Sequence, residues 1–337
     1  MQQALDAFLD DHEPQLLAMA AELAPLAAEV RSFLSGGKRL RPGFCFWGHL
    51  GAGGKDTDDL VRAAAALEMF QAAAIIHDDV MDGSDTRRGR PAVHKHFAAL
   101  HDESGWQGSA DQFGAGAAIL LGDLCLSWSD EMLVGSGLVN EASRTVFDSM
   151  RAELMAGQYL DLLEQVSGHG TVESALRVAR YKSAKYTIVE PLHLGGTTAG
   201  ASRHVLDAYT AYGLPLGIAF QLRDNILGVF GDPDVTGKPA GDDLREGKRT
   251  ALVAMALQRA SAAQADLVRR KLGDPDLDPD GVAELRQVLV ETGAVDDVEQ
   301  LISASTQEAL AALDDSIADE AREVLRDLAV EATVRAV

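Results

Sequence analysis

Residues 57–82 read TDDLVRAAAALEMFQAAAIIHDDVMD, and this stretch decides the fold. Thr57, Asp58 and Asp59 supply capping oxygens, and Leu60, Ala63, Leu67, Phe70 and Ala74 follow at helical spacing to about Asp82. The spacing predicts one long helix, apolar on nearly every side and therefore central. The rest of the chain is of the same kind. None of its 10 prolines falls between Pro91 and Pro191 or after Pro279, so long helices are permitted over most of its 337 residues. Ala and Leu abound, aromatic residues make up 5%, and alternating β-branched runs are few. The fold class is all-α, a single large helical domain over 1–337 around one central cavity. Loops are expected at 51–54, 101–113, 167–170, 231–247 and 273–279, where Gly, Pro and Asp cluster.

With 30 Lys and Arg against 52 Asp and Glu, the net charge is −22. Such a surface repels phosphate polymers, which argues against nucleic acid as a partner and an anionic membrane as an anchor. No run reaches the roughly 18 apolar residues of a membrane span, and residues 1–11 show no basic leader, so the expected compartment is the cytoplasm. Cys45 and Cys125 each sit alone in an apolar helical stretch, which predicts buried thiols rather than a disulfide or a zinc site.

The chemistry-bearing residues lie at the end of the central helix. Asp78, Asp79 and Asp82 stand at i, i+1 and i+4, which stacks Asp78 and Asp82 on one helical face with Asp79 beside them. Like charges so placed repel, and hard divalent cations such as Mg²⁺ relieve that repulsion. The plain alternative is a solvated helix end, since D-D-x-x-D arises by chance about 0.3 times in a chain this rich in aspartate. Arg87-Arg88-Gly89-Arg90-Pro91 follows at once, and two arginines at that fixed spacing lower the chance expectation to about 0.001. Upstream, Gly36-Gly37-Lys38-Arg39-Leu40-Arg41-Pro42 pairs permissive glycine backbone with three cations. Carboxylates hold a diphosphate only through metal, whereas Arg and Lys hold one directly. Two phosphorylated ligands are implied.

These motifs, spread over nearly the whole chain, resemble those of the trans-prenyltransferases. This is the polyprenyl synthetase family, which joins isopentenyl diphosphate to an allylic diphosphate, and the resemblance is in particular to its bacterial geranylgeranyl-forming members. The resemblance implies an isoprenoid synthase-like bundle and a Mg²⁺-dependent prenyltransferase of isoprenoid biosynthesis, working as a homodimer with several metal ions per site. It implies that Gly37, Lys38, Arg41, Gln71 and Arg88 bind isopentenyl diphosphate. Asp78, Asp79 and Asp82 match the first aspartate-rich motif, and Arg87 matches the arginine on the allylic diphosphate. The segment 181–187, with Lys182 and with Ser183 in place of a threonine, resembles the family's Lys-Thr segment. Gln221 and Asp224 match the approach to the second aspartate-rich motif. Gly237, Lys238, Asp243 and Lys248 match the loop whose lysines reach the allylic diphosphate. Of only eight lysines, Lys38, Lys182, Lys238 and Lys248 occupy such positions.

One departure stands out. The second motif keeps Asp224 but reads Asn225 and Gly228 where further carboxylates are expected. Asn225 coordinates only through a neutral amide oxygen, so cation attraction on that side falls, and Asp243 is a candidate helper through water. The weakened motif keeps open a non-catalytic subunit that tunes an active homologue, and the aspartate-bound Mg²⁺ a terpene cyclase, which ionises an allylic diphosphate in the same way; the second cationic site argues against both. His77, His94 and His96 read as structural. Product length is expected to follow Phe70, Ala73 and Ala74, which lie one and two turns below Asp78. The two alanines leave room for a growing tail and Phe70 forms its floor, which predicts a twenty-carbon product.

Overall fold

The computed structural model describes residues 1–167, 170–232, 241–274 and 276–333. These form two compact units: Met1–Phe46 with Lys55–Glu141, and Trp47–Gly54 with Ala142 onward. Both are helical, as expected.

The first unit contains α1 (Gln2–Met19), α2 (Ala24–Phe33), the start of α3 (Leu40–Gly51), α4 (Asp58–Asp82), α5 (Val93–Glu103) and α6 (Ala110–Val134). Helix α4 is the one the sequence announces. The Thr57 hydroxyl accepts the Leu60 N–H at 3.2 Å, Asp58 and Asp59 fill the first turn, and Gly83 ends the helix in the left-handed conformation. Its residues 63–67 are all fully buried, and α6, α5 and α1 pack around it. Among the described residues α4 alone is long and apolar enough to cross a membrane, but two-thirds of its most apolar window is buried inside the protein. Helix α6 runs antiparallel to it. The Arg62 guanidinium donates to the Gly135 carbonyl at 3.3 Å, and at the other end His77 Nε2 meets the Ile119 carbonyl at 3.0 Å. His77 thereby helps tie α4 to α6. Cys45 and Cys125 are fully buried, and burial pushes both thiols up to about 12.

The basic turn after α4 is a small departure from an all-helical chain. Thr86–Arg87 (β1) and Arg90–Pro91 (β2) pair antiparallel, with Thr86 opposite Pro91 and Arg87 opposite Arg90. Arg88 and Gly89 form the two-residue turn, both with positive φ, the pattern that matches strand twist in tight hairpins.

The second unit contains α7 (Glu141–Ser167) from its second residue, α8 (Val172–Val178), a π-helical segment (Ala179–Val189), α9 (Glu190–Thr198) and α10 (Arg203–Phe230). After these come α11 (Asp242–Arg245), α12 (Ala251–Arg259), α13 (Ala262–Lys271), α14 (Pro279–Glu291), α15 (Ala294–Ala311) and α16 (Asp319–Thr333). Ser202, Thr250, Ser261 and Asp278 cap α10, α12, α13 and α14 through their side-chain oxygens. Helix α10 is the axis. Leu222, Ile226 and Val229 on one side of it join Leu252, Leu285, Val298 and Ile302 in a single core. Arg223 locks its rotation, donating to both Glu299 oxygens on α15 at 2.6 and 2.7 Å and to the Thr333 carbonyl on α16 at 2.9 Å. The expected loop 101–113 is narrower in the structure, because α5 extends through Glu103 and α6 begins at Ala110.

Candidate active site

The acidic end of α4 is held by the hairpin beside it. Asp79 is fully buried, and Arg87 Nε donates to its two oxygens at 2.9 and 3.2 Å, with Nη2 adding a further contact to Oδ1. The same Nη2 lies 4.0 Å from Asp78 Oδ2. Asp78 and Asp82 are half-buried, one turn apart. The three carboxylates thus share one helix end, as expected from their spacing, and one arginine bridges two of them. Carboxylate oxygen is the donor type a hard divalent cation takes, but Asp79 is committed to Arg87 and, among the described residues, no three acidic or histidine side chains are gathered as a metal cage.

A cluster of cations adjoins it. Arg39 and Arg88 are the two non-glycine residues with positive φ among those described, 53° and 54°. Such backbone is strained, and strain of this kind gathers at functional sites. A Cβ built on Gly37 would lie 3.5 and 3.6 Å from the Arg88 guanidinium nitrogens and 3.6 Å from Glu68 Oε1, so the glycine turn, Arg88 and Glu68 meet at one point. Glu68 is buried on α4 and pairs with Arg39 Nη1 at 2.8 Å. Arg39 also donates to the Leu34 carbonyl and the Gln2 side chain, while Arg88 stands 5.8 Å over the Phe33 ring. Desolvation lowers the Arg88 pKa from its ordinary value; Glu68 opposes this, and Arg39, Arg87 and Arg41 add to it by repulsion. With Arg87 already paired to Asp79, Glu68 is the carboxylate facing Arg39, Arg41 and Arg88, and the excess of positive charge there suits an anion. Lys38 is exposed and Arg41 and Gln71 are half-buried at its margin in sequence. Glu68 was missing from the expected site, and Arg39 was read as one of three upstream cations without a binding role of its own. A lone glutamate inside the apolar run before Gln71 was the signal for the first.

In the second unit the Lys-Thr-like segment lies in the π-helix, a form that concentrates at functional positions. Lys182 Nζ pairs with Asp161 on α7 at 2.7 Å, and the Ser183 hydroxyl donates to Gln221 Oε1 on α10. Close approach makes that bond possible. A Cβ at Gly217, one turn before Gln221, would come within 3.0 Å of both Ala184 Cα and Cβ, so glycine alone lets the two helices meet there. Gly217, Gln221, Asp224 and Gly228 recur at i, i+4, i+7 and i+11, on one face of α10. Asp224 is half-buried and Asn225 buried. Lys248 lies 3.5 Å from Asp243 Oδ1 and also pairs with Glu246. The structure therefore joins Ser183 with Gln221 and Lys248 with Asp243. Gly237 and Lys238 lie outside the described residues. Phe70 and Ala73 are buried on α4 and Ala74 is half-buried.

The polyprenyl synthetase family model matches residues 25–289. The chain is 31% identical over 312 residues to a short chain isoprenyl diphosphate synthase of Methanothermobacter thermautotrophicus, covering 91% of this chain and 90% of the relative. It is 33% identical over 287 residues to a geranylgeranyl diphosphate synthase of Mycobacterium tuberculosis, covering 84% and 76%. A crystal structure of geranylgeranyl pyrophosphate synthase from Corynebacterium glutamicum, complexed with isoprenyl diphosphate and magnesium, superposes with a TM-score of 0.96 at 44% identity, covering 99% of this chain and 97% of that one. An acidic helix end beside a cluster of arginines, on a fold shared this fully, leaves no other assignment: the chain belongs to the polyprenyl synthetase family and is a prenyltransferase.

Proposed function

We propose that the protein condenses isopentenyl diphosphate head to tail with an allylic diphosphate, in a Mg²⁺-dependent reaction that yields an all-trans product of twenty carbons, geranylgeranyl diphosphate. The observation that carries this reading is the pairing, within the first unit, of the Asp78–Asp79–Asp82 helix end with the Arg39–Arg41–Arg87–Arg88 cluster. Gly37, Lys38, Arg41, Gln71 and Arg88 hold isopentenyl diphosphate, with Glu68 fixing Arg39 beneath them. Asp78, Asp79, Asp82 and Asp224 are the residues that would hold Mg²⁺, whose chemistry is to neutralise the charge that develops on the departing diphosphate. Arg87, Lys182 and Lys238 complete the allylic diphosphate's shell, and Ser183, Gln221 and Lys248 support it. The isopentenyl double bond attacks the allylic cation, and a proton then leaves to the departing diphosphate, so no side-chain base is needed.

Phe70, Ala73 and Ala74 set the tail's depth in this reading. Each helical turn adds about 5 Å, close to one isoprene unit, so two alanines over a phenylalanine suit twenty carbons. Relatives whose names give different chain lengths, among them a geranylfarnesyl diphosphate synthase of Aeropyrum pernix, make twenty-five carbons the next candidate. The chain acts as one catalytic domain, a homodimer in the cytoplasm; light scattering at micromolar concentration tests the dimer. The deciding experiment supplies the purified protein with isopentenyl diphosphate, an allylic primer and Mg²⁺. Chain extension supports the synthase, hydrocarbon release would point to a cyclase, and silence to a product-tuning subunit.

A further inference from the structure

The π-helix is fixed to α7 by charge as well as by contact. Glu153, Gly157 and Asp161 recur at i, i+4 and i+8, on one face of α7. A Cβ built at Gly157 would lie 2.7 Å from the Lys182 backbone N and 3.0 Å from its Cα, so the two backbones meet there. From that point Lys182 reaches one way along α7, to Asp161 at 2.7 Å, and Lys185 reaches the other way, to Glu153. Lys185 Nζ also lies 3.4 Å from Glu190 Oε1 on α9 and 5.8 Å from the centre of the Tyr181 ring. Glu190 is buried, and the second Glu153 oxygen is buried with no hydrogen-bond partner among the described residues. Desolvation raises the Glu190 pKa above its ordinary value; Lys185 opposes this and the Glu153 charge adds to it. Two acids thus share one ammonium. A sheltered ion triad with an acceptor left over is no better for stability than apolar packing of the same volume. Stability alone does not account for it.

We propose that Lys185, held by Glu153 and Glu190, is a positioning residue that pins the register of the π-helix and so aims Lys182 along α7 and Ser183 at Gln221. A π-helix closes its hydrogen bonds at i→i+5, one residue beyond the α-helix, so relaxing one turn to α geometry moves every later side chain by one position, about 100° around the axis. Lys182 and Lys185 straddle Gly157, and such a slip breaks at least one of their pairs. Apolar side chains in place of the triad would tolerate it, because an ion pair has a direction that apolar contact lacks. The service of Lys182 to the allylic diphosphate rests on the proposed reaction; the pinning of the π-helix does not.

The test uses the full-length protein. Glu153→Met, Lys185→Met and Glu190→Met together replace the triad by apolar chains of similar length, and this variant is expected to melt with the parent or above it. Amide hydrogens in peptides spanning 179–189 are expected to exchange about tenfold faster than in the parent, with those of α4 unchanged. The KM for the allylic diphosphate is expected to rise about tenfold and that for isopentenyl diphosphate to stay within about twofold, a split that a general loss of structure would not give. Lys185→Arg keeps the charge and is expected to match the parent in exchange and in both KM values. Should the triple variant fail to fold, Glu153→Gln takes its place, with each readout moving the same way by a smaller factor. Parental exchange at 179–189 in the variant that folds would overturn the pinning, and an unchanged allylic KM or equal rises in both KM values would overturn the aiming of Lys182. A parent that extends no isoprenoid would sink the proposed reaction, while hydrogen exchange would still decide whether the triad pins the π-helix.

Discussion

Replacing Gly217 by alanine tests how the π-helix and α10 are joined. In an ordinary helix interior the change stabilises, by about 1 kcal/mol. Here the added Cβ comes within 3.0 Å of Ala184 Cα and Cβ, against 3.4–4 Å for ordinary contact, and neither atom is the free end of a flexible side chain. The helices must separate by several tenths of an ångström or more. Overpacking of this kind costs about 3 kcal/mol at the upper end of its usual range, since no rotamer relieves it. The net loss is about 2 kcal/mol, and at about 2–4 °C per kcal/mol the melting temperature falls by about 4–8 °C. The Ser183–Gln221 bond lies one turn away and lengthens with the separation, so turnover falls severalfold even well below the melting point. Gly116→Ala is the control, because a Cβ on that α6 residue meets nothing within 4 Å, and it is expected to raise the melting temperature slightly. Scanning calorimetry on both variants, with steady-state product assays, decides the matter. A Gly217→Ala protein that melts with the Gly116→Ala control or above it would refute the close-approach argument.

Asp78→Ala should abolish turnover, whereas Asn225→Asp should leave it intact or raise it at limiting Mg²⁺; loss of activity in Asn225→Asp at every Mg²⁺ concentration would contradict a weakened second motif. Ala74→Phe should shorten the main product and Phe70→Ala lengthen it, read by chromatography of dephosphorylated products; unchanged distributions in both would remove α4 as the ruler. Cys45 and Cys125 should resist a thiol reagent at pH 8 in the folded protein and react once it is unfolded. Their thiols are pushed up to about 12 by burial, above the unfolded value, so their contribution to stability is full below about pH 9 and is lost as pH rises toward 12. Urea titrations between pH 8 and pH 11 should show that decline.

What could be read from the sequence was local. The Thr57 cap, the alanine-rich run and the i, i+1, i+4 aspartates each depend on neighbours within a turn, and α4 formed as its residues dictate. Buried Cys45 and Cys125 followed from apolar flanks alone. The π-helix at 179–189 was not legible, because its register answers to Gly157 on α7 and Gly217 on α10, both remote in sequence. Glu68 was missed for a related reason: its meaning lies in Arg39 and Gly37, which the chain brings to it only on folding. The hairpin of 86–91 was too short for any strand periodicity to register. Gly228 looked like a lost ligand from sequence, and only the Asp243 carboxylate, which stands where its Cβ would be, gives the glycine a reason.

The strained backbone at Arg88 sets a trap for anyone who improves this protein by selecting for heat resistance. At φ 54°, glycine is the more comfortable backbone occupant by on the order of 1 kcal/mol, to be set against the guanidinium's contacts over the Phe33 ring and beside Gly37. Where relief of that strain exceeds those contacts, a library ranked by melting temperature alone enriches Arg88→Gly and discards with it a group proposed to hold a diphosphate. Evolution toward robustness and evolution toward turnover pull in opposite directions at this one residue, and a screen must read both to keep it.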